Sequence, residues 1–215
     1  YSLVCYIVGP TKQTKECLFM KNKKRIPFAV CLTAALFAGM VTAHAYAILA
    51  AGGFTPVPTQ VVPYKGFSSS INSAISSACS AWNGAGAGSL VTRSSSTHSN
   101  TQFPLKNGAN QITHTNMGKN EMMMDTRLTE VKIVGVIAYN TEVDINVNTA
   151  YPWSTTGDPN AYDFQNCFTH ELGHLLGLND ENSKSDSTMY SVTSVGETKK
   201  RTLAQDDKNG INAIY

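Results

Sequence analysis

The segment His170-Glu171-Leu172-Gly173-His174 leaves this chain the least freedom. On a helix, residues four apart share one face one turn apart, so both imidazoles can point at a single ion. A helix with that duty needs defined ends. Asp163 is a ready N-cap, and Gly177 can take the left-handed conformation that stops a helix sharply. The spacing therefore predicts a helix from Asp163 through about Leu176, fixed inside a folded domain.

Glu171 sits beside the first imidazole and can reach a metal-held water without entering the coordination sphere. Two histidine nitrogens with a neighbouring carboxylate fit zinc that keeps one position open for water. A third ligand must come from elsewhere. Asp180, three residues past Gly177, can bring an oxygen back to the ion, and Glu181 and Asp186 are the nearest substitutes. Cys167 lies near the same face but is seven residues before His174, about 10 Å along the axis. That distance suits a disulfide or a core role better than ligation.

The rest of the chain reads as α+β. One of Ser68, Ser69 and Ser70 can cap a helix in which Ile71, Ala74, Ile75, Ala78, Cys79 and Trp82 form an apolar stripe ending near Gly84. Residues 50–63 read as an extended entry, and 84–120 as loops around a short strand near 112–115. Residues 131–139 read as one strand. Val143, Ile145 and Val147 alternate with Asp144, Asn146 and Asn148, which predicts a half-buried strand. Thr202 and Gln205 offer a capping box for a last helix buried through Ile211 and Ile214.

The first part of the chain has another character. Lys21, Lys23, Lys24 and Arg25 precede a mostly apolar run over 28–41, and Ala43-His44-Ala45 supplies small residues around a cut. That order predicts a signal peptide over 20–45, with 1–19 an upstream or non-native segment and 46–215 the working domain. A secreted protein is expected, with a bacterial source. A retained anchor is the rival reading, though the apolar run is short for a bilayer span. Six of the 17 Lys/Arg and one of the 15 Asp/Glu fall before residue 46, so 46–215 carries 11 basic and 14 acidic residues. No basic stripe remains to suggest nucleic acid. Of five cysteines, only Cys79 and Cys167 lie in that domain. In an exported protein they are expected to pair, with two buried thiols as the alternative.

The segment 163–211 resembles the metzincin peptidases, and among them the matrixins (matrix metalloprotease catalytic domains). His170, Glu171, His174 and Gly177 match the family pattern in order, and Asp180 stands where a third histidine is usual. The same aspartate occurs in the small bacterial snapalysins. Met189, in Ser187-Thr188-Met189-Tyr190, resembles the methionine turn beneath the zinc. Leu203 through Ile211 is similar to the opening of the last matrixin helix, where Asp206 and Asp207 would bind the mature amino terminus and brace that turn.

The resemblance covers about 67–215. It implies a zincin-like fold: a twisted mixed sheet, about three main helices and a zinc cleft. It assigns Gly135, Val136, Ile137 and Ala138 to a cleft-edging strand that would bind extended peptide, and it leaves Tyr139 near the place of a histidine for a second, structural zinc. His98 and His114 do not rebuild that site, and Asp125, Asp144 and Asp158 are too dispersed for an evident calcium loop. The expected activity is zinc-dependent cleavage of internal peptide bonds by a monomer, acting on a protein or peptide substrate. Control is expected through export or a proteinaceous inhibitor, since no cysteine-switch propeptide is recognisable. A non-catalytic extracellular binding or adhesion domain on the same fold is the alternative.

Overall fold

A computed structural model describes residues 46–47, 55–134 and 137–215. The signal-peptide and upstream expectations, with Cys5, Cys17 and Cys31, lie outside the described residues, as do Gly135 and Val136.

Strand β1 is Thr59–Pro63, at the end of the extended entry. Helix α1 is Ser69–Asn83, with the Ser68 side chain accepting from the Ile71 amide and Gly84 closing it. Strands β2 (Val91–Arg93), β3 (Asn110–Thr115), β4 (Met124–Val134) and β5 (Ile137–Asn148) follow. The strand order is β2-β1-β3-β5-β4. All pairings are parallel except β4 with β5, which are antiparallel. The sheet is thus mixed, and β4 is an edge. A two-stranded element, β6 (Trp153–Ser154) with β7 (Tyr162–Asp163), leads into α2 (Phe164–Leu175). A 3-10 turn (Lys199–Arg201) precedes α3 (Gln205–Ile214).

The apolar stripe of α1 packs on α2, and α2 reaches β4. Trp82, Phe164, Phe168, Leu172 and Ile211 are fully buried, each worth about 1.5–3 kcal/mol of transfer free energy. The indole of Trp82 also donates to the Thr169 carbonyl at 2.8 Å, pinning the middle of α2 to α1.

Four expectations need correction. Residues 131–139 are not one strand: Val134 pairs with Ile137 and Ile133 with Ala138, so the segment is the end of the β4–β5 hairpin. Apolar residues continue through both arms, and the periodicity gave no sign of the reversal. The polar face of β5 is not solvated either, because Asp144, Asn146 and Asn148 are as buried as the valines between them. The loop stretch before β4 covers that face, and its backbone amides supply the missing solvation. Glu142 accepts from Asn107 and Gly108 at 2.7 and 2.8 Å, and Asp144 accepts from Leu105 and Gln111 at 2.9 Å. Burial still pushes the Asp144 carboxyl above the usual range, with those amides working against it.

Thr202 does not open the last helix. The N-cap is Ala204, whose amide donates to Asp207 at 2.8 Å, so the carboxylate reaches back while the cap side chain offers nothing. Finally, Cys79 and Cys167 are not bridged; both are buried free thiols. Burial pushes each up to about 12, which leaves them small apolar packers of the α1–α2 interface. Among the described residues, no helix is long and apolar enough to cross a membrane.

Candidate metal centre

The zinc-type helix begins as the sequence requires. Asp163 accepts from the Asn166 amide at 3.0 Å and is gripped by the Arg201 guanidinium. Its end carries more of the design. The Gly177 amide donates to the His174 carbonyl at 3.0 Å and the Leu178 amide to the Gly173 carbonyl at 2.9 Å. These are the two bonds of a Schellman ending, and Gly177 takes the positive φ of 101° that it demands. That ending turns the Leu178 carbonyl onto His174 Nδ1, 3.0 Å away.

His170 is oriented in parallel fashion. Its Nδ1 lies 2.9 Å from the Thr188 carbonyl. A carbonyl can only accept, so both Nδ1 atoms carry the proton and both Nε2 atoms present lone pairs. Those two Nε2 atoms are 3.0 Å apart, and Asp180 Oδ1 stands 3.3 and 3.7 Å from them. His170, His174 and Asp180 are the group among the described residues that could hold a metal ion. Two converging lone pairs and a carboxylate oxygen repel one another unless a cation lies between them, and this donor set fits zinc. Burial, followed by repulsion from His170, drives His174 down to about 4. The ring therefore stays neutral and available as a ligand at ordinary pH.

Asp180 is fixed from both sides. The preceding amide, Asn179, donates to the Ala47 carbonyl at 2.8 Å, and the following one, Glu181, donates to the Met189 carbonyl at 2.8 Å. The Met189 turn is itself tied to α3. Asp207 accepts from Ser187 Oγ at 2.5 Å, the Thr188 amide at 2.8 Å and the Met189 amide at 3.1 Å. One carboxylate thereby sets the turn whose Thr188 carbonyl aims His170. Asp206 has a looser environment: Lys184 lies 3.4 Å from Oδ1, while buried Oδ2 has no hydrogen-bond partner among the described residues. Burial raises that carboxyl above the usual range.

Glu171 is buried, and its Oε2 accepts from Thr126 Oγ1 of β4 at 2.5 Å. Desolvation pushes it up to about 7, against the attraction of His170 and the Thr126 hydrogen bond. A carboxyl near neutrality is suited to accept a proton and return it.

Gly173 completes the packing below. A Cβ there would sit 2.2 Å from Met189 Sδ and 2.9 Å from Trp82 Cζ2. Gly173→Ala gains up to about 1 kcal/mol in helix propensity but overpacks two buried side chains at a cost of about 1–3 kcal/mol. The overpacking should win, because Met189 and Trp82 are themselves buried in the packed core. A melting temperature lowered by a few degrees, with weaker zinc retention, is the expected result of calorimetry and metal titration.

The structure brings together the sequence-derived His170, His174, Asp180 and Glu171, with Gly177, Met189 and Asp207 in support. Sequence reasoning missed Thr126 and Ala47. A threonine on a strand, and a carbonyl far along the chain from its partner, leave no local signal. His98 and His114 lie elsewhere, around the Tyr64 ring. His98 Nε2 is 3.1 Å from the Ile112 carbonyl.

A family model described as Matrixin (Peptidase_M10) matches residues 69–215. No curated protein matches the chain.

Proposed function

The chain belongs to the matrixin family, a zinc metalloendopeptidase with Asp180 as third ligand, and from that premise we propose how its residues bind and cut a peptide. When bound, zinc polarises the scissile carbonyl and acidifies the attacking water. Glu171 takes the proton from that water and delivers it to the leaving amine. Thr126 holds one oxygen of Glu171, which leaves the other to take the proton.

The peptide is proposed to add as a strand along the outer side of β4 near Thr126. The expected edge at Gly135, Val136, Ile137 and Ala138 begins nine residues further along. Of that edge, Ile137 and Ala138 pair with Val134 and Ile133 at the far end of β4, roughly 23–26 Å from Thr126 at about 3.3 Å per residue.

Secretion after cleavage near Ala45 is part of the same reading. Tyr46 packs over Gly210, one turn beyond Asp206 on α3. The new amino terminus would then be placed to pair with Oδ2 of Asp206. A monomeric enzyme is part of the same reading.

The convergence of His170, His174 and Asp180 beside a buried Glu171 carries this reading. Zinc quantification beside peptide-library cleavage tests it, with Glu171→Ala as control. One zinc per chain and cleavage lost in the variant are expected. No cleavage by a zinc-loaded wild type would favour a binding domain instead, and equal cleavage by both proteins would remove Glu171 from the reaction.

A further inference from the structure

Three consecutive cations in the 3-10 turn hold three different parts of the molecule. Arg201 grips Asp163 and donates to the Thr155 carbonyl at 2.9 Å. Lys199 donates to the Ser185 carbonyl at 2.6 Å and lies over the Tyr190 ring at 5.7 Å. Lys200 between them is only 2% exposed. Its ammonium donates to the Tyr190 carbonyl and, at 3.0 Å, to the Val192 carbonyl. Its backbone amide donates to Asn166 Oδ1 at 2.8 Å, and Asn166 Nδ2 donates to Thr193 Oγ1 at 3.0 Å.

These bonds lay residues 188–193 along one face of α2. Thr188 meets His170, and Thr193 meets Asn166 one turn earlier on the same face. Around the helix, Glu171 meets β4 through Thr126. The metal centre is thus flanked by β4 on one side and by 188–193 on the other. Nothing in Tyr190-Ser191-Val192-Thr193 is stiff by itself, since it holds neither proline nor disulfide. Two carbonyls two residues apart converge on one buried ammonium, and hydrogen bonds from a charged donor are short and strong. Losing the charge would leave those carbonyls without their donor and free the loop to change course. Val192 is exposed on it, an apolar side chain on the segment that flanks the metal centre.

We propose that Lys200 is a positioning residue for substrate selection: by clamping the Tyr190 and Val192 carbonyls, it fixes the wall against which the substrate side chain next to the cleaved bond packs. The inference rests on the endopeptidase reading and names the element that sets its preference.

Lys200→Met keeps the aliphatic stem and removes the ammonium; Lys200→Arg keeps the charge. Each is compared with wild type for zinc content, for kcat and KM on peptides differing only at a residue next to the cleaved bond, before or after it, and for amide exchange over 190–195. Lys200→Met is expected to bind zinc one to one, and its loop amides to exchange faster while those of α2 do not. The ratio of kcat/KM between best and worst peptides should shrink about tenfold, the scale on which an apolar pocket discriminates. Lys200→Arg should restore most of that ratio.

A uniform fall in kcat with the ratio intact would overturn the proposal, as would unchanged loop exchange. Should Lys200→Met fail to fold, Thr193→Val cuts only the Asn166 tether and should shift the ratio the same way by less; an unmoved ratio again overturns it. A zinc-loaded wild type that cleaves none of the peptides overturns the endopeptidase reading and this proposal together. A selective wild type with an equally selective Lys200→Met overturns this proposal alone.

Discussion

Glu171→Gln should retain zinc and lower kcat by about 10²–10⁴-fold, the range lost when a positioned proton carrier is removed. The amide preserves the shape and can still accept from Thr126, so KM should move little. Stopped assays on one internally cleaved peptide, with zinc content measured in parallel, separate this from loss of the ion. The same variant makes a stability prediction in metal-stripped protein. Glu171 is raised to about 7, so the fold keeps a proton that the unfolded chain gives up near 4.5, and stability is lost as pH rises between the two. His174 is lowered to about 4, so the fold refuses a proton that the unfolded chain takes near 6.5, and stability is lost as pH falls from there. Between 4.5 and 6.5 the two effects oppose each other and the wild-type profile should be shallow. Glu171→Gln removes only the first. Its stability relative to wild type should therefore climb with pH across that window by up to about 1.4 kcal/mol per unit. Urea titrations at several pH values measure the difference; a difference that stays constant would show that burial does not hold the Glu171 proton.

The parts legible in the sequence were those specified by neighbours along the chain. Ser68 and Asp163 cap helices because the cap needs only a side-chain oxygen and the amide three residues on. Gly177 was legible because a left-handed stop favours one residue type, and Asp180 because the stop fixes how soon the chain can return. The hairpin between β4 and β5 was not legible, since its apolar positions run on through the reversal. The buried polar face of β5 was misread for a related reason. Alternation says that two faces differ, but not whether the polar one meets water or the amides of a distant loop. The cysteines show the same limit, for export makes pairing chemically available while packing decides whether it occurs. Thr126, Ala47 and Lys200 act on partners distant along the chain or buried from view, and their types are ordinary where they stand.

Asp180→Ala should reduce zinc affinity by more than the roughly 10–100-fold that loss of a supporting residue costs, since it removes a ligand. The two Nδ1 bonds to Thr188 and Leu178 would survive, so the histidines would remain aimed and the fold intact. Competition with a chelator of known affinity measures the loss; retention within about tenfold of wild type would remove Asp180 from the coordination set. Asp180→His asks what the charge does. An aspartate brings a negative charge next to the ion where a neutral imidazole brings none, so the native site withdraws less electron density from the water it activates. With histidine that water should ionise more readily, and the acid limb of the pH–rate profile should move to lower pH. The shift is expected only if the introduced imidazole is held as the Asp180 carboxylate is, between the Asn179–Ala47 and Glu181–Met189 backbone bonds. The longer side chain must also find room in a site where the carboxylate already stands 3.3 Å from His170 Nε2. A fully metallated variant with an unmoved acid limb would mean that ligand charge does not set the ionisation. A variant that loses metal would show that the two backbone bonds hold the chain too close for the larger ring.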